Sequence, residues 1–113
     1  MPVPDFQTLM LPALRVLSAR SPMTTVEVRA ELASQFSLTP SDLAELLPSG
    51  RQTTFANRVA WAYSYLKQAR LIASPRRGVY EIAVRGRQVL AENPTRIDIG
   101  FLSRFPEIFP REP

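Results

Sequence analysis

The chain has no cysteine and no histidine among its 113 residues. Disulfide staples are therefore excluded, as are zinc fingers, cysteine nucleophiles and Ser-His-Asp triads, each of which needs one of those side chains. Long apolar runs are lacking too. The longest uncharged stretch, Leu32 to Ser41, has ten residues, whereas a spanning helix needs about 20. Met1-Pro2-Val3-Pro4-Asp5 offers neither the cationic flank nor the apolar stretch of a secretory signal. A soluble cytoplasmic protein is the expectation. The residues present are 45% hydrophobic, which suits one domain around one core, since a domain usually takes about 100–200 residues.

Charge is scarce in sum and concentrated in place. The net charge is +4, but Arg51 to Arg87 holds eight basic residues against one acid, Glu81. That segment carries +7 and leaves −3 for the other 76 residues. A chain divided in this way presents an anion-attracting half, for which nucleic acid is the commonest partner.

Apolar spacing sets out the elements. Phe6, Leu9, Met10, Ala13, Leu14 and Leu17 lie on one face of a first helix. Pro4 fits its first turn, and Pro12 predicts a kink or a later start. Ser21-Pro22 ends it. Thr24 and Glu27 fit a capping box for a second helix that buries Val28, Leu32 and Phe36 with Ala33 beside them. Thr39-Pro40-Ser41-Asp42 starts a short third helix with Leu43, Leu46 and Leu47 as its apolar side. The longest helical signal runs from about Thr54 to Arg70, with Phe55, Val59, Ala62, Leu66 and Ala69 as its core stripe. Its other side carries Thr54, Asn57, Trp61, Ser64 and Gln68, with Arg58 and Tyr65 on the margin. Trp61 is unusual on a polar face; burial beneath the hairpin or tail is weighed slightly above a recognition role. Tyr63 is expected to be structural.

The period then changes. Residues 71–73 and 79–82 predict two short strands, joined by Ser74-Pro75-Arg76-Arg77-Gly78 with its two arginines at the tip. A last helix is expected from Arg85 to Glu92, buried through Val89 and Leu90 and stopped by Asn93-Pro94. The expected fold is mainly α (α+β), a winged helix-turn-helix with a two-stranded β-hairpin wing. Residues 1–94 would form this domain. Residues 95–113, with Ile97, Ile99, Phe101, Leu102, Phe105, Ile108 and Phe109, would be a C-terminal extension or the start of a linker, with a helical turn near Ile99–Arg104.

In that architecture one helix enters the major groove and the wing lies along the backbone or minor groove. Asn57, Trp61, Ser64 and Gln68 are the candidates for bases. Arg51, Thr53, Thr54, Arg58, Arg76 and Arg77 are the candidates for phosphates, with Arg85 and Arg87 flanking them.

A family resemblance rests on these same residues. Leu46-Leu47-Pro48-Ser49-Gly50-Arg51-Gln52, Asn57-Arg58-Val59-Ala60-Trp61-Ala62, Tyr65-Leu66-Lys67 and Ser74-Pro75-Arg76-Arg77-Gly78-Val79-Tyr80 together resemble the N-terminal domain of Mrr-type restriction endonucleases. Arg85-Gly86-Arg87, Val89-Leu90-Ala91-Glu92-Asn93-Pro94 and Pro2-Val3-Pro4-Asp5 extend the likeness to nearly the whole chain. The resemblance implies a winged-helix DNA-binding module that precedes a nuclease domain with a D…(E/Q)xK metal site. Full-length members act on DNA with modified bases, notably methylated ones. That site needs a lysine two residues after Glu or Gln, and the sole lysine, Lys67, has Tyr65 in that place. The Mg²⁺ chemistry of the family therefore cannot be assembled from these residues. No catalytic residue, metal or cofactor is expected here, whether the chain is an excised domain or a stand-alone relative. The expected partner is double-stranded DNA, with a nuclease domain or a second copy as further partners. The competing readings are a protein-docking winged helix and a transcriptional regulator, the latter needing a dimer to read a two-fold site.

Overall fold

A computed structural model gives the fold of residues 3–108. Pro2, Phe109 and the rest of the tail lie outside the described residues. Helix α1 (Phe6–Ala19) starts at Asp5, whose carboxylate accepts from the Thr8 amide at 2.8 Å. Pro4 precedes this cap and is not part of the first turn. The helix runs on through Pro12 without a later start. Burial on both sides of the proline explains this: Leu9, Met10, Ala13, Leu14 and Leu17 are fully buried. Each large one contributes roughly 1.5–3 kcal/mol, against about 3 kcal/mol lost at the proline.

After the cis peptide between Ser21 and Pro22 comes a two-residue strand, β1 (Met23–Thr24). Helix α2 (Thr25–Gln35) begins with the expected box. The Thr24 hydroxyl accepts from the Glu27 amide at 3.1 Å, and the Glu27 carboxylate accepts from the Thr24 amide at 2.9 Å. It buries Val28 and Leu32, while Ala33 and Phe36 are half-buried. Helix α3 (Pro40–Ala44) repeats the box with Thr39 and Asp42. Its expected apolar side fails: Leu43 and Leu46 are exposed, and Leu46 and Leu47 lie outside the helix. The reason is that Glu45 turns extended, so that Leu46 forms an antiparallel bridge with Thr53.

Helix α4 (Thr54–Gln68) packs on α1, and Phe55, Val59, Ala62 and Leu66 enter the shared core as predicted. Ala69 is buried too, but as the C-cap. Strands β2 (Ile72–Arg76) and β3 (Val79–Ile82) form the hairpin. β1 adds to its free side, giving a three-stranded antiparallel sheet of order β1-β3-β2. Two residues are too few to show a strand period, so this third strand has no signature in the sequence. Helices α5 (Val84–Ala91) and α6 (Ile99–Leu102) follow. Ile97, Leu102 and Ile108 are buried in the same core as α1. No helix among the described residues is long and apolar enough to cross a membrane.

Among the described residues, three that are not glycine have positive φ: Ser37, Arg70 and Asn93, at 52°, 65° and 54°. Each follows a helix C-cap. At α4 the Arg70 amide donates to Lys67 O and the Leu71 amide to Leu66 O, both at 3.0 Å, which is the Schellman pattern. Helix α4 therefore stops before Arg70, without the glycine that would have marked its end.

The cap carboxyls of Asp5, Glu27 and Asp42 are held below the usual carboxylate range, each chiefly by the backbone amide it accepts from. Gly86 marks a different constraint. A Cβ there would collide with the Leu71 carbonyl oxygen, and would meet Ile82 Cγ1 at 2.8 Å. Two opposed substitutions follow from this packing. Pro12→Ala restores an amide inside α1 and should raise stability by about 1–3 kcal/mol. Gly86→Ala should lower stability by roughly 1–3 kcal/mol through the clash, although alanine is the better helix former by about 1 kcal/mol. Chemical denaturation of both variants measures this, and a neutral Gly86→Ala would refute the close approach.

Candidate nucleic-acid interface

The site is built outward from α4. Its first turn is held by a small loop in which the Thr54 amide donates to Glu45 O at 2.8 Å and the Leu47 amide to Gln52 O at 2.9 Å. Gly50, at φ 71°, makes the tight turn of this loop, and exposed Arg51 follows it. Thr53 is the N-cap and accepts from the Ala56 amide at 3.2 Å. Thr54 is only 4% exposed because the same loop covers it. This burial removes it from the residues that can reach a phosphate.

The flank of α4 is occupied by the chain's own N-terminal segment. Arg58 Nη1 donates to Val3 O at 2.6 Å, and Phe6 stacks on Tyr65 with ring centroids 5.6 Å apart. Arg58 is therefore a clamp for residues 3–6, not a free cation. Trp61 is 51% exposed and leans on Tyr65 at 6.4 Å. Neither the hairpin nor the described tail buries it. Tyr63 is structural, as expected: it is buried and stacked on Tyr80 at 4.5 Å. Its hydroxyl has no hydrogen-bond partner among the described residues, and burial pushes its pKa up.

Asn57 stays at the surface margin, 3.4 Å from Gln52 Oε1, and Ser64 is exposed. Gln68 is exposed but engaged, its amide donating to Glu107 O at 3.0 Å and Ile108 O at 3.3 Å. Arg85 is engaged as well. Its Nη1 donates to Ala69 O and to Glu107 Oε1, both at 2.9 Å, and its guanidinium lies over the Phe105 ring. Arg87 is exposed on α5.

The wing keeps its tip in the open. Arg76 and Arg77 are both exposed, and Gly78, at φ 78°, turns the chain. The turn is tighter than the five residues expected, because β2 continues to Arg76 through a bulge at Ser74-Pro75. Pro75 has no amide to give, which suits a bulge. The Ser74 hydroxyl closes it within reach of Arg76 O at 2.7 Å and Val79 O at 2.9 Å. The Thr25 amide donates to Gly78 O at 3.1 Å, tying the turn to the start of α2.

Helix and wing meet in one place. Ser64, Lys67 and Gln68 of α4, with Arg70 and residues 72–74 of β2, line an open groove of about 530 Å³. Lys67 and Arg70 were not among the site candidates. They count toward the +7 but sit off the polar face when α4 is drawn as an isolated helix, and only the placement of β2 beside them makes them groove residues. Among the described residues Arg51, Lys67, Arg76, Arg77 and Arg87 make no ion pair. No group of three or more Asp, Glu, His or Cys side chains among the described residues is placed to hold a metal ion.

An α+β domain with a long exposed helix, a basic hairpin and a groove between them is winged-helix-like. Residues 6–92 match the family described as the Mrr N-terminal domain. The chain belongs to that family. No curated protein and no solved structure matches it.

The two margins of α4 separate in a stability measurement. Arg58→Ala removes a charged hydrogen bond to backbone carbonyls and should cost about 1–2 kcal/mol. Trp61→Ala removes a half-exposed ring and should cost less than about 1 kcal/mol. Urea unfolding that gave the opposite order would show that Trp61, not Arg58, holds the fold.

Proposed function

We propose that this domain is the non-catalytic, target-recognition module of a type IV, modified-DNA-dependent restriction system, acting on double-stranded DNA in the cytoplasm. The observation that carries the reading is the groove in which the polar face of α4 adjoins the wing strand, with Lys67 and Arg70 in its lining and exposed Arg76 and Arg77 at the end of that strand. Family membership supports the same conclusion. In this reading α4 lies in the major groove with Asn57, Trp61 and Ser64 toward the bases. A pyrimidine methyl group is an apolar target, and a half-exposed indole suits it better than the neighbouring amides do. Arg51, Thr53, Lys67 and Arg87 then take phosphates beside the helix. Arg76 and Arg77 contact the backbone or enter the minor groove.

Protein docking is the second reading, and a specific observation favours it: Trp61, Leu46 and Val84 are large apolar side chains more than half exposed. Salt separates the two. If three to five phosphates are neutralised, the logarithm of the duplex association constant should fall with log salt at a slope of about −3 to −4.5. Reversing both wing charges, Arg76→Glu with Arg77→Glu, should make the slope about 2 shallower and weaken binding at least tenfold. Duplex binding by fluorescence anisotropy checks both. No salt-dependent duplex binding by the wild type would support docking instead. Equal affinity for methylated, hemimethylated and plain duplexes would assign discrimination to a partner domain.

A further inference from the structure

The segment after α6 returns to the C-terminal end of α4 and presents one acid to two arginines. Glu107 Oε1 is 2.9 Å from Arg85 Nη1, and its Oε2 is 3.4 Å from Arg70 Nε. The Gln68 amide holds the same segment through the carbonyls of Glu107 and Ile108. Ile108 is buried beside it. Gln68 and Arg70 also line the groove between α4 and β2, so the carboxylate adjoins the proposed DNA face.

Two features single out this contact from an ordinary surface ion pair. Both carboxylate oxygens are engaged by different guanidinium groups, leaving Glu107 about a quarter exposed although it is near the end of the described chain. Arg70 is also held at φ 65°, where glycine or asparagine is the usual residue and a larger side chain is strained. The backbone geometry of Arg70 is a cost to the fold, and its side chain is what that position presents to the groove.

We propose that Arg70 and Arg85 form a phosphodiester site beside Gln68 on the DNA face, and that Glu107 occupies it as an internal phosphate mimic. A backbone phosphate carries the same charge and the same oxygen acceptors as the carboxylate it displaces. In free protein the segment around Glu107 neutralises the two cations and restrains affinity. On DNA the phosphate takes the two arginines and Glu107 swings aside. The inference rests on the DNA-binding reading above.

The test uses the full chain, with wild type, Glu107→Gln and Glu107→Gln combined with Arg70→Gln, each titrated with a labelled duplex over a range of salt. Glu107→Gln should bind about 3- to 10-fold tighter at low salt, with a slope steeper by about 1 to 2. The double variant should lose most of that gain. Urea unfolding of each variant confirms that the folded protein is being measured. Wild type and Glu107→Gln binding DNA with the same affinity and slope would overturn the phosphate mimic and leave the DNA-binding reading standing. No salt-dependent binding by either protein would overturn the DNA-binding reading itself. Inorganic phosphate supplies an arm that needs no DNA. The side-chain NMR signals of Arg85 and Gln68 should shift saturably in Glu107→Gln and stay still in the double variant. No shift in either would overturn the site.

Discussion

The contact of α1 with α4 is the constraint on which the remaining structure depends. Helix α1 touches α2, α4, α5 and β3, and it buries five side chains completely between Leu9 and Leu17. An apolar face of that width fixes the rotation of α4, because Phe55, Val59, Ala62 and Leu66 must all point at it. Once they do, Asn57, Trp61 and Ser64 have no choice but to face away. The outward face of α4, on which the proposed function relies, is thus a by-product of core packing. The close approach at Gly86 sets α5 against the chain entering β2 in the same way.

Local chemistry was the most legible part of the sequence. Both capping boxes and the hairpin follow from side chains that act on their immediate neighbours, and such signals survive folding unchanged. Legibility fails where the deciding partner is remote. Thr54 is polar and begins a helix, yet a loop that closes through Glu45 and Leu47 buries it. Trp61 is the reverse, a large ring left at the surface because Phe6 and Tyr65 already fill the neighbouring space. Strand β1 exists only because β3 offers it an edge. The helix ends at Ser37 and Arg70 were hidden for another reason: both motifs use residues that ordinarily avoid positive φ.

The same distinction applies to charge. A count of basic residues between Arg51 and Arg87 locates the excess of positive charge in the chain, but it cannot separate cations that hold the protein together from those that are free. Arg58 is committed to the backbone of residues 3 and 4, and Arg85 to Ala69 and Glu107. Arg51, Lys67, Arg76, Arg77 and Arg87, in the same interval, make no ion pair among the described residues.

Arginine is suited to the committed positions in a way that lysine is not. Its planar fork can meet several acceptors at fixed angles while a face remains for stacking. Arg85 uses one nitrogen for a carbonyl and a carboxylate, and its plane for Phe105. Arg58 spans two successive carbonyls. An ammonium could satisfy one or two of these contacts, but without the stacking plane and without fixed direction. At the exposed tip, Arg76 and Arg77 have no acceptor among the described residues to orient them, and in the proposed function the same fork meets a phosphate or a base edge. One residue type thus fastens the domain where the fold supplies the acceptor, and in the proposed function is left to meet an outside acceptor where the fold supplies none.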